Sequence, residues 1–228
     1  MTARTQPGGE SRRPAALRSI EAAALAGLVH ATLSLLATYL LLRPPRATAD
    51  ATDVLWHADK ANQRSIALGL NLMAVGMIAF LWFVAVIRRR VGERENKFFG
   101  TVFLGSALLL AATRMIAAIL ISTPTMSAYQ LGVIPDANSI ALWQTSGLTL
   151  AVIVGTRLEA VFVISTTTVG RLSGALPRWV VWLGYFAGVI LLFAPLSRTL
   201  LMWLFPMWVI VISGSMLVRK RQLDSGTS

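Results

Sequence analysis

The sequence predicts an all-α protein that spans a membrane as a polytopic bundle of six helices, with both termini in the cytoplasm. Of the 228 residues, 55% are hydrophobic and only 14% are charged, whereas a soluble domain carries about 25% charged residues. Apolar windows of about 20 residues, long enough to cross a hydrocarbon core about 30 Å thick, recur six times. The net charge of +11 comes mainly from arginines at the ends of these windows, which is the pattern of membrane topology and not of a nucleic-acid-binding face.

The six windows also define the domain organisation. A single transmembrane domain, residues 17–221, lies between a disordered cytoplasmic tail at 1–16 and a second one at 222–228. Pro206 falls inside the sixth span, where we expect a kink. The predicted spans are Ile20–Leu42, Ser65–Ile87, Phe98–Ile121, Gly147–Val169, Trp179–Ala194 and Thr199–Val218.

The distribution of positive charge predicts the orientation of the bundle. Fourteen basic residues flank one side of the spans and five flank the other. The positive-inside rule therefore places both termini in the cytoplasm, as an even number of spans requires. The cytoplasmic group is Arg4, Arg12, Arg13, Arg18, Arg88, Arg89, Arg90, Arg94, Lys97, Arg171, Arg178, Arg219, Lys220 and Arg221, and the outer group is Arg43, Arg46, Lys60, Arg64 and Arg198.

A cleaved twin-arginine signal is an alternative interpretation of the first span. Ser11-Arg12-Arg13 precedes the apolar run, and Ala47-Thr48-Ala49 has the form of a signal-peptidase site. The apolar run is longer than about 20 residues, however, against the 7–15 of a usual signal core. Arg43-Pro44-Pro45-Arg46 also separates the run from the cleavage motif. We therefore favour a first transmembrane helix.

Charged and polar residues inside the spans mark the candidate site, because a charge at the bilayer centre costs about 3 kcal/mol on insertion scales. Residues three, four and seven apart share a helix face, and small residues occupy the faces that carry His30, Asn71, Arg114 and Glu159. Such faces favour close helix packing in lipid, so these four side chains are predicted to face the bundle interior. Arg157 lies on an apolar face, where it can snorkel toward the inner surface.

Two interpretations of these four residues stay open. One is a buried polar pocket, which would bind an anionic or zwitterionic ligand or relay a proton through His30 and Glu159. The other is a buried ion pair that only specifies packing. Arg114 is then the natural partner of Glu159, because sequential helices usually neighbour each other, and His30 is the alternative partner. The predicted helix starts place Glu159 about 18 Å below the outer surface and Arg114 about 10 Å below it, so the arginine side chain must span the difference.

The outer connections contain further polar residues. Asp53 and His57 are four apart and would share one face of a helix as two metal ligands. No third ligand is evident nearby, so we prefer a short interfacial helix and expect no metal. Asp136, Asn138 and Ser139 are residue types that cap helix N-termini, which predicts that the fourth helix begins above the bilayer.

No motif predicts a reaction. The sequence has no phosphate loop, no Gly-x-Ser-x-Gly, no His-Glu-x-x-His and no cysteine, so we expect neither an enzyme nor a bound cofactor. The hydroxyl side chains of Ser165–Thr168 are predicted to bond back to their own helix. Gly184 and Gly188 form a GxxxG pair, which permits close helix contact either inside the protein or in a dimer.

Three segments near the end of the chain carry a recognisable pattern. They are Gly174-Ala175-Leu176-Pro177-Arg178-Trp179-Val180-Val181-Trp182-Leu183-Gly184, then Phe205-Pro206-Met207-Trp208-Val209, and finally Arg219-Lys220-Arg221. This part of the chain resembles uncharacterised bacterial six-span membrane proteins, many of them from actinobacteria. The resemblance implies the six-span architecture and lends no activity and no functional residues.

We therefore expect a multi-pass protein of a bacterial cytoplasmic membrane that acts without catalysis, as an accessory or interaction subunit or as a sensor. The alternative is a small transporter, or a binder of lipid or a small anionic ligand, that uses Arg114, Glu159 and His30. The expected partners are the lipid bilayer and another membrane protein or a second copy of the chain, and nucleic acid is not expected. A water-accessible cavity at the charged residues would favour the alternative, and a dry, fully paired cluster would favour a structural role.

Overall fold

A computed structural model describes residues 12–45, 51–91, 97–174, 176–193 and 198–225. This part of the chain is helical apart from short connections and contains no strand, so the all-α prediction is confirmed for it. The helices are α1 (Arg12–Leu41), α2 (Ala51–Trp56), α3 (Lys60–Val91), α4 (Lys97–Leu131), α5 (Ala137–Thr149), α6 (Thr156–Leu172), α7 (Arg178–Phe193) and α8 (Arg198–Ser225). A π-helical segment, Leu150–Gly155, joins α5 to α6.

Four helical stretches of the described chain are long and apolar enough to cross a membrane: Glu21–Leu41, Lys60–Arg88, Gly100–Leu131 and Ala137–Leu172. The prediction of a helical membrane protein is confirmed to this extent. The fifth predicted span corresponds to α7, which has 16 residues and is about 24 Å long. The sixth corresponds to α8, in which the described apolar stretch is Met202–Val218.

Most of the two predicted tails lies outside the described residues. Residues 1–11 and 226–228 lie outside the described residues, and residues 12–16 and 222–225 belong to α1 and α8. Helix formation from Arg12 onward has a local cause. Pro14 falls in the first turn, where a missing amide proton is harmless, and the alanines that follow have the highest helix propensity.

The connection between α4 and α5 is shorter than the sequence suggested. Instead of ending near Ile121, α4 continues through Pro124 to Leu131, and only residues 132–136 separate it from α5. The predicted cap is confirmed. The carboxylate of Asp136 accepts from the amides of Asn138 (2.9 Å) and Ser139 (3.0 Å) and from the Ser139 hydroxyl (2.8 Å). These hydrogen bonds, above all those of Ser139, hold the pKa of Asp136 below its usual range.

Glycines mark where the helices cross most closely. A Cβ on Gly76 of α3 would lie 3.3 Å from Leu33 of α1, and one on Gly69 would lie 3.1 Å from Leu40. This pairing makes α1 and α3 antiparallel. The pairs Gly27–Ser213 and His30–Phe205 make α1 and α8 antiparallel as well.

An aromatic cluster fills the centre of the bundle, where α3, α4, α6 and α8 meet. Ring centroids lie 5.1 Å apart for Phe80 and Phe162, 5.2 Å for Phe103 and Phe162, and 6.0 Å for Phe162 and Phe205. Trp208 stacks on Phe205 at 6.2 Å. All five rings are buried, and aromatic pairs at such distances add stabilisation beyond burial of their area. The cluster therefore fixes the rotation of four helices about their axes.

Candidate functional site

Arg114 of α4 and Glu159 of α6 form an ion pair in the protein interior. The Nε of Arg114 donates to Oε1 of Glu159 at 2.9 Å, and Nη2 donates to the same oxygen. Arg114 is 7% exposed and Glu159 is fully buried. The preferred partner named from the sequence is thus the one that the structure brings to Glu159.

A glycine one turn before Glu159 leaves space for the guanidinium of Arg114. Gly155 lies one turn before Glu159 and closes the π-helical segment. A Cβ at Gly155 would lie only 3.8 Å from the Arg114 Nε and 3.9 Å from its Cζ, so the guanidinium packs directly against this glycine. Single π-helical turns within α-helices frequently occur at functional sites, and this one adjoins the buried charges.

Arg114 and Glu159 lie at different levels along their helices, as predicted from the sequence, and their side chains span the difference. Arg114 lies about 25 Å along α4 from its end at Leu131, and Glu159 lies about 33 Å from the start of the α5–α6 rod at Ala137. α4 ends ten residues later than predicted, and α5 begins ten residues earlier. The difference between the two distances therefore remains about 8 Å.

His30 of α1 lies beside the ion pair without binding to it directly. Its Nδ1 is 2.9 Å from the carbonyl oxygen of Gly76, and the Ser34 hydroxyl lies 3.2 Å from the same nitrogen. A carbonyl oxygen only accepts, so Nδ1 carries the proton and Nε2 of the neutral ring is an acceptor. Nε2 is buried and has no partner among the described residues.

A small cavity lies between His30 and the ion pair. Its volume is about 20 Å³, which is room for about one water molecule and far less than the 300–1,000 Å³ of a typical ligand pocket. The second carboxylate oxygen of Glu159, Oε2, is buried without a protein partner in the described part of the chain, as is His30 Nε2. A water molecule donates two protons and therefore has the chemistry to satisfy both acceptors. The lining residues are His30, Ser34, Thr38, Met73, Met77, Phe80, Leu110, Arg114, Glu159, Met202, Phe205 and Pro206.

Asn71 does not join this cluster. Its side chain is exposed, and its amide nitrogen donates to the carbonyl of Ala67 at 2.8 Å. Because this local bond satisfies the amide within its own helix, Asn71 needs no partner from another helix and faces away from the cavity. Of the four residues predicted to meet, the structure brings together His30, Arg114 and Glu159.

Arg157 is exposed, as its apolar face predicted, but it does not reach toward the inner surface. Its Nη1 donates backward along the helix to the carbonyl of Val152 at 3.0 Å and to the Thr156 hydroxyl at 3.1 Å. The change from π-helical to α-helical bonding shifts the register of the backbone acceptors there. Arg157 and Thr156 both donate to the Val152 carbonyl at this junction.

A second polar cluster, which the sequence did not predict, lies at the end of the bundle that carries the α2–α3 connection. His57 is buried just after α2, and its Nδ1 lies 2.7 Å from the hydroxyl of Thr125 in α4. The side-chain amide of Gln63 donates to the His57 carbonyl at 3.0 Å. His57 therefore ties the α2–α3 connection to α4. The side chain of Asp53 lies outside what is described, and the described residues contain no group of three metal-ligating side chains.

Of the four hydroxyl side chains predicted to bond back to their own helix, two are seen to do so, and the Thr167 hydroxyl is buried without a hydrogen-bond partner among the described residues. Thr166 and Thr168 donate to the carbonyls of Phe162 (2.7 Å) and Ile164 (2.8 Å), within their own helix. The GxxxG pair serves internal packing. A Cβ at Gly184 would lie 2.2 Å from the Thr167 hydroxyl of α6, and one at Gly188 would lie 2.5 Å from Ile164.

The chain matches no family model, no curated protein and no solved structure. The protein is therefore described from its own fold and candidate site. It is a helical protein with four described helices long and apolar enough to cross a membrane, and with a buried histidine–arginine–glutamate cluster beside a cavity the size of one water molecule.

Proposed function

We propose that this protein is a six-span, non-catalytic component of a bacterial cytoplasmic membrane, an accessory or interaction subunit, whose buried polar cluster holds its helices together. The antiparallel contacts of α1 with both α3 and α8 support an alternating path of the chain. The excess of basic residues at the ends that carry the termini supports a cytoplasmic location for both. Helices as short as α7 cross a bilayer by thinning it locally.

The observation that carries this proposal is the Arg114–Glu159 pair beside a cavity of about 20 Å³. A site that binds a lipid or metabolite needs a larger space. Removing one partner of a buried ion pair leaves the other charge uncompensated, which costs about 3–5 kcal/mol. The pair therefore favours one packing arrangement of α4 against α6.

A transporter or small-ligand binder is the second candidate. It is favoured by a specific observation: His30 Nε2 and Glu159 Oε2 are both acceptors, both buried and both without protein partners in the described chain. Acceptors of this kind in a membrane interior are a common feature of proton and ion paths. An expansion of the small cavity during a transport cycle would be required.

The test compares the variants Arg114→Leu, Glu159→Leu and the double variant by unfolding in detergent. We expect each single change to lower the free energy of unfolding by about 3–5 kcal/mol, and the double change to recover most of that loss. Arg157→Leu is the matched control, because Arg157 is exposed on the same helix as Glu159, and its removal should change stability by less than about 1 kcal/mol.

The same variants separate the two candidate functions. If all three fold with unchanged stability but lose a native lipid or metabolite that co-purifies with the unmodified protein in native mass spectrometry, the transporter or binder is supported and the structural proposal fails. If single changes destabilise and the double change does not recover stability, the two side chains do not act as a pair.

A further inference from the structure

A groove lies at the end of the bundle where α6 turns into α7. Its volume is about 690 Å³, which falls within the range of sites that hold small molecules. It lies at the opposite end of α6 from the π-helical segment and the buried ion pair. The lining residues are Arg171, Gly174, Leu176, Arg178, Val181, Trp182 and Tyr185.

The groove is positively charged. Arg171 ends α6 and Arg178 begins α7. Both side chains are exposed, no carboxylate lines the groove, and neither arginine forms an ion pair with another described residue. A second groove of about 610 Å³ on the other side of the same turn reaches α8 and has no charged lining residue. Of the two grooves, only the first is therefore lined by positive charge.

One face of α7 carries a charged residue at its start and apolar and aromatic residues farther along the helix. Arg178, Val181, Trp182 and Tyr185 are spaced three, four and seven residues apart, so they share that face. Trp182 is 75% exposed. The Tyr185 hydroxyl lies 3.1 Å from the Thr168 hydroxyl, which fixes the ring against α6. Arginine followed one turn deeper by tryptophan and tyrosine is the order found at a membrane–water interface.

Leu176, which lines the groove, packs back against the end of α6. Gly174 has φ of +65°, a left-handed conformation that favours glycine. The amide of Leu176 donates to the carbonyl of Gly170 at 3.2 Å. The Leu176 side chain packs so closely that a Cβ at Gly170 would lie 2.4 Å from it. These contacts hold Leu176 at its place in the lining of the groove.

We propose that this groove binds the phosphate-bearing headgroup of an anionic phospholipid, with Arg171 and Arg178 contacting the phosphate and Trp182 contacting the start of an acyl chain. Arginine recognises phosphate oxygens through several donors in a fixed geometry, and basic pockets between membrane helices bind anionic headgroups. The proposal requires that the helices lie in a bilayer, but it is independent of the role of Arg114 and Glu159. In the orientation given above, the groove faces the cytoplasmic leaflet.

The test measures lipid retention by native mass spectrometry. Purified full-length protein is mixed with equal amounts of phosphatidylglycerol and phosphatidylcholine, and the variant Arg171→Gln with Arg178→Gln is treated identically. We expect the unmodified protein to retain phosphatidylglycerol preferentially, and the double variant to bind it at least about tenfold more weakly. The charge-matched control is Lys60→Gln with Arg64→Gln, which removes two exposed cations from the outer end of α3 and should retain the lipid.

Three outcomes would overturn the proposal. Equal retention by both double variants and the unmodified protein excludes the groove as the site. An equal loss in both double variants indicates only a general effect of surface charge. Displacement of the lipid by millimolar inorganic phosphate identifies a site for soluble phosphate and not for lipid. Flotation with phosphatidylcholine vesicles is measured alongside, so that a failure to enter the bilayer is recognised separately from a failure to bind the anionic lipid.

Discussion

At the scale of single residues, polar side chains within the helices differ in whether they bond to their own helix or to another one. Asn71 bonds to the carbonyl four residues before it, and its side chain is exposed. The Nδ1 of His57 forms a hydrogen bond with the hydroxyl of Thr125, which is 68 residues away in sequence. A side chain that bonds within its own helix, like Asn71, does not restrict how the helices pack. A side chain that bonds to a distant segment, like His57, does.

The His57–Thr125 hydrogen bond gives a prediction at this scale. Thr125→Val keeps the shape of the fully buried side chain but removes the partner of His57 Nδ1, and a buried group left without its partner costs about 1–3 kcal/mol. We expect that loss in the free energy of unfolding, measured by denaturant titration in detergent micelles.

Thr123→Val is the control for this change. Thr123 is exposed and its hydroxyl donates only to the carbonyl of Ile119 in its own helix, so its replacement should have an effect within about 0.5 kcal/mol. Equal effects of the two substitutions would show that the bond to His57 contributes nothing measurable.

At the scale of helices, glycines determine how closely the elements approach. Gly147 of α5 is buried, and a Cβ there would lie 2.8 Å from both the Ala117 carbonyl oxygen and the Ile121 amide nitrogen of α4. Both are backbone atoms, which cannot move aside as a flexible side chain can. This contact sets the spacing of α4 and the α5–α6 rod at the level just outside Arg114.

Gly147→Ala is therefore expected to push the two helices apart and to lower stability by about 1–3 kcal/mol, the usual cost of overpacking. The matched control is Gly105→Ala in α4, where nothing lies within 4 Å of the new Cβ and the higher helix propensity of alanine should raise stability by about 0.5–1 kcal/mol. Thermal unfolding of the two variants checks the prediction. An unchanged or raised midpoint for Gly147→Ala would contradict it.

At the scale of the whole molecule, the aromatic cluster and the ion pair occupy the same central region, where helices from both ends of the sequence meet. His30 of α1 lies 4.9 Å from Phe80 of α3 and 6.1 Å from Phe205 of α8, measured between ring centroids. These contacts join the N-terminal and C-terminal helices into one body.

The absence of cysteine from the sequence makes the proposed topology directly testable. Val133 and Leu172 are 57% and 70% exposed and lie at opposite ends of the α5–α6 rod. In whole cells, we expect a membrane-impermeant maleimide to label Val133→Cys at once and Leu172→Cys only after the membrane is permeabilised.

The control for the labelling is Ile153→Cys, which is exposed on the π-helical segment and should stay unlabelled in both conditions, because the reagent does not enter lipid. Labelling of Leu172→Cys in intact cells would reverse the proposed orientation. Labelling of both end positions in intact cells would indicate that the rod between them does not cross the membrane.

Much of the architecture could be predicted from the sequence, and so could part of the site. Hydropathy and charge are local properties, so they identified the apolar helices, the Asp136 cap and the back-bonding threonines. Helical periodicity correctly predicted that Arg114 and Glu159 face the interior. It failed for Asn71, because a face with small residues does not reveal whether a polar group is satisfied within its own helix.

The sequence by itself determined that this protein is helical and apolar enough for a membrane, and which buried charges had to find partners. Only the tertiary structure decided that Arg114 pairs with Glu159 across 45 residues, that His30 bonds to Gly76 instead, and that Phe80 and Phe205 line the cavity beside them. It also decided that the GxxxG pair packs against α6. The physical reason is that each such contact depends on the rotation and register of two helices together. Neither quantity is encoded in the pattern of one helix alone.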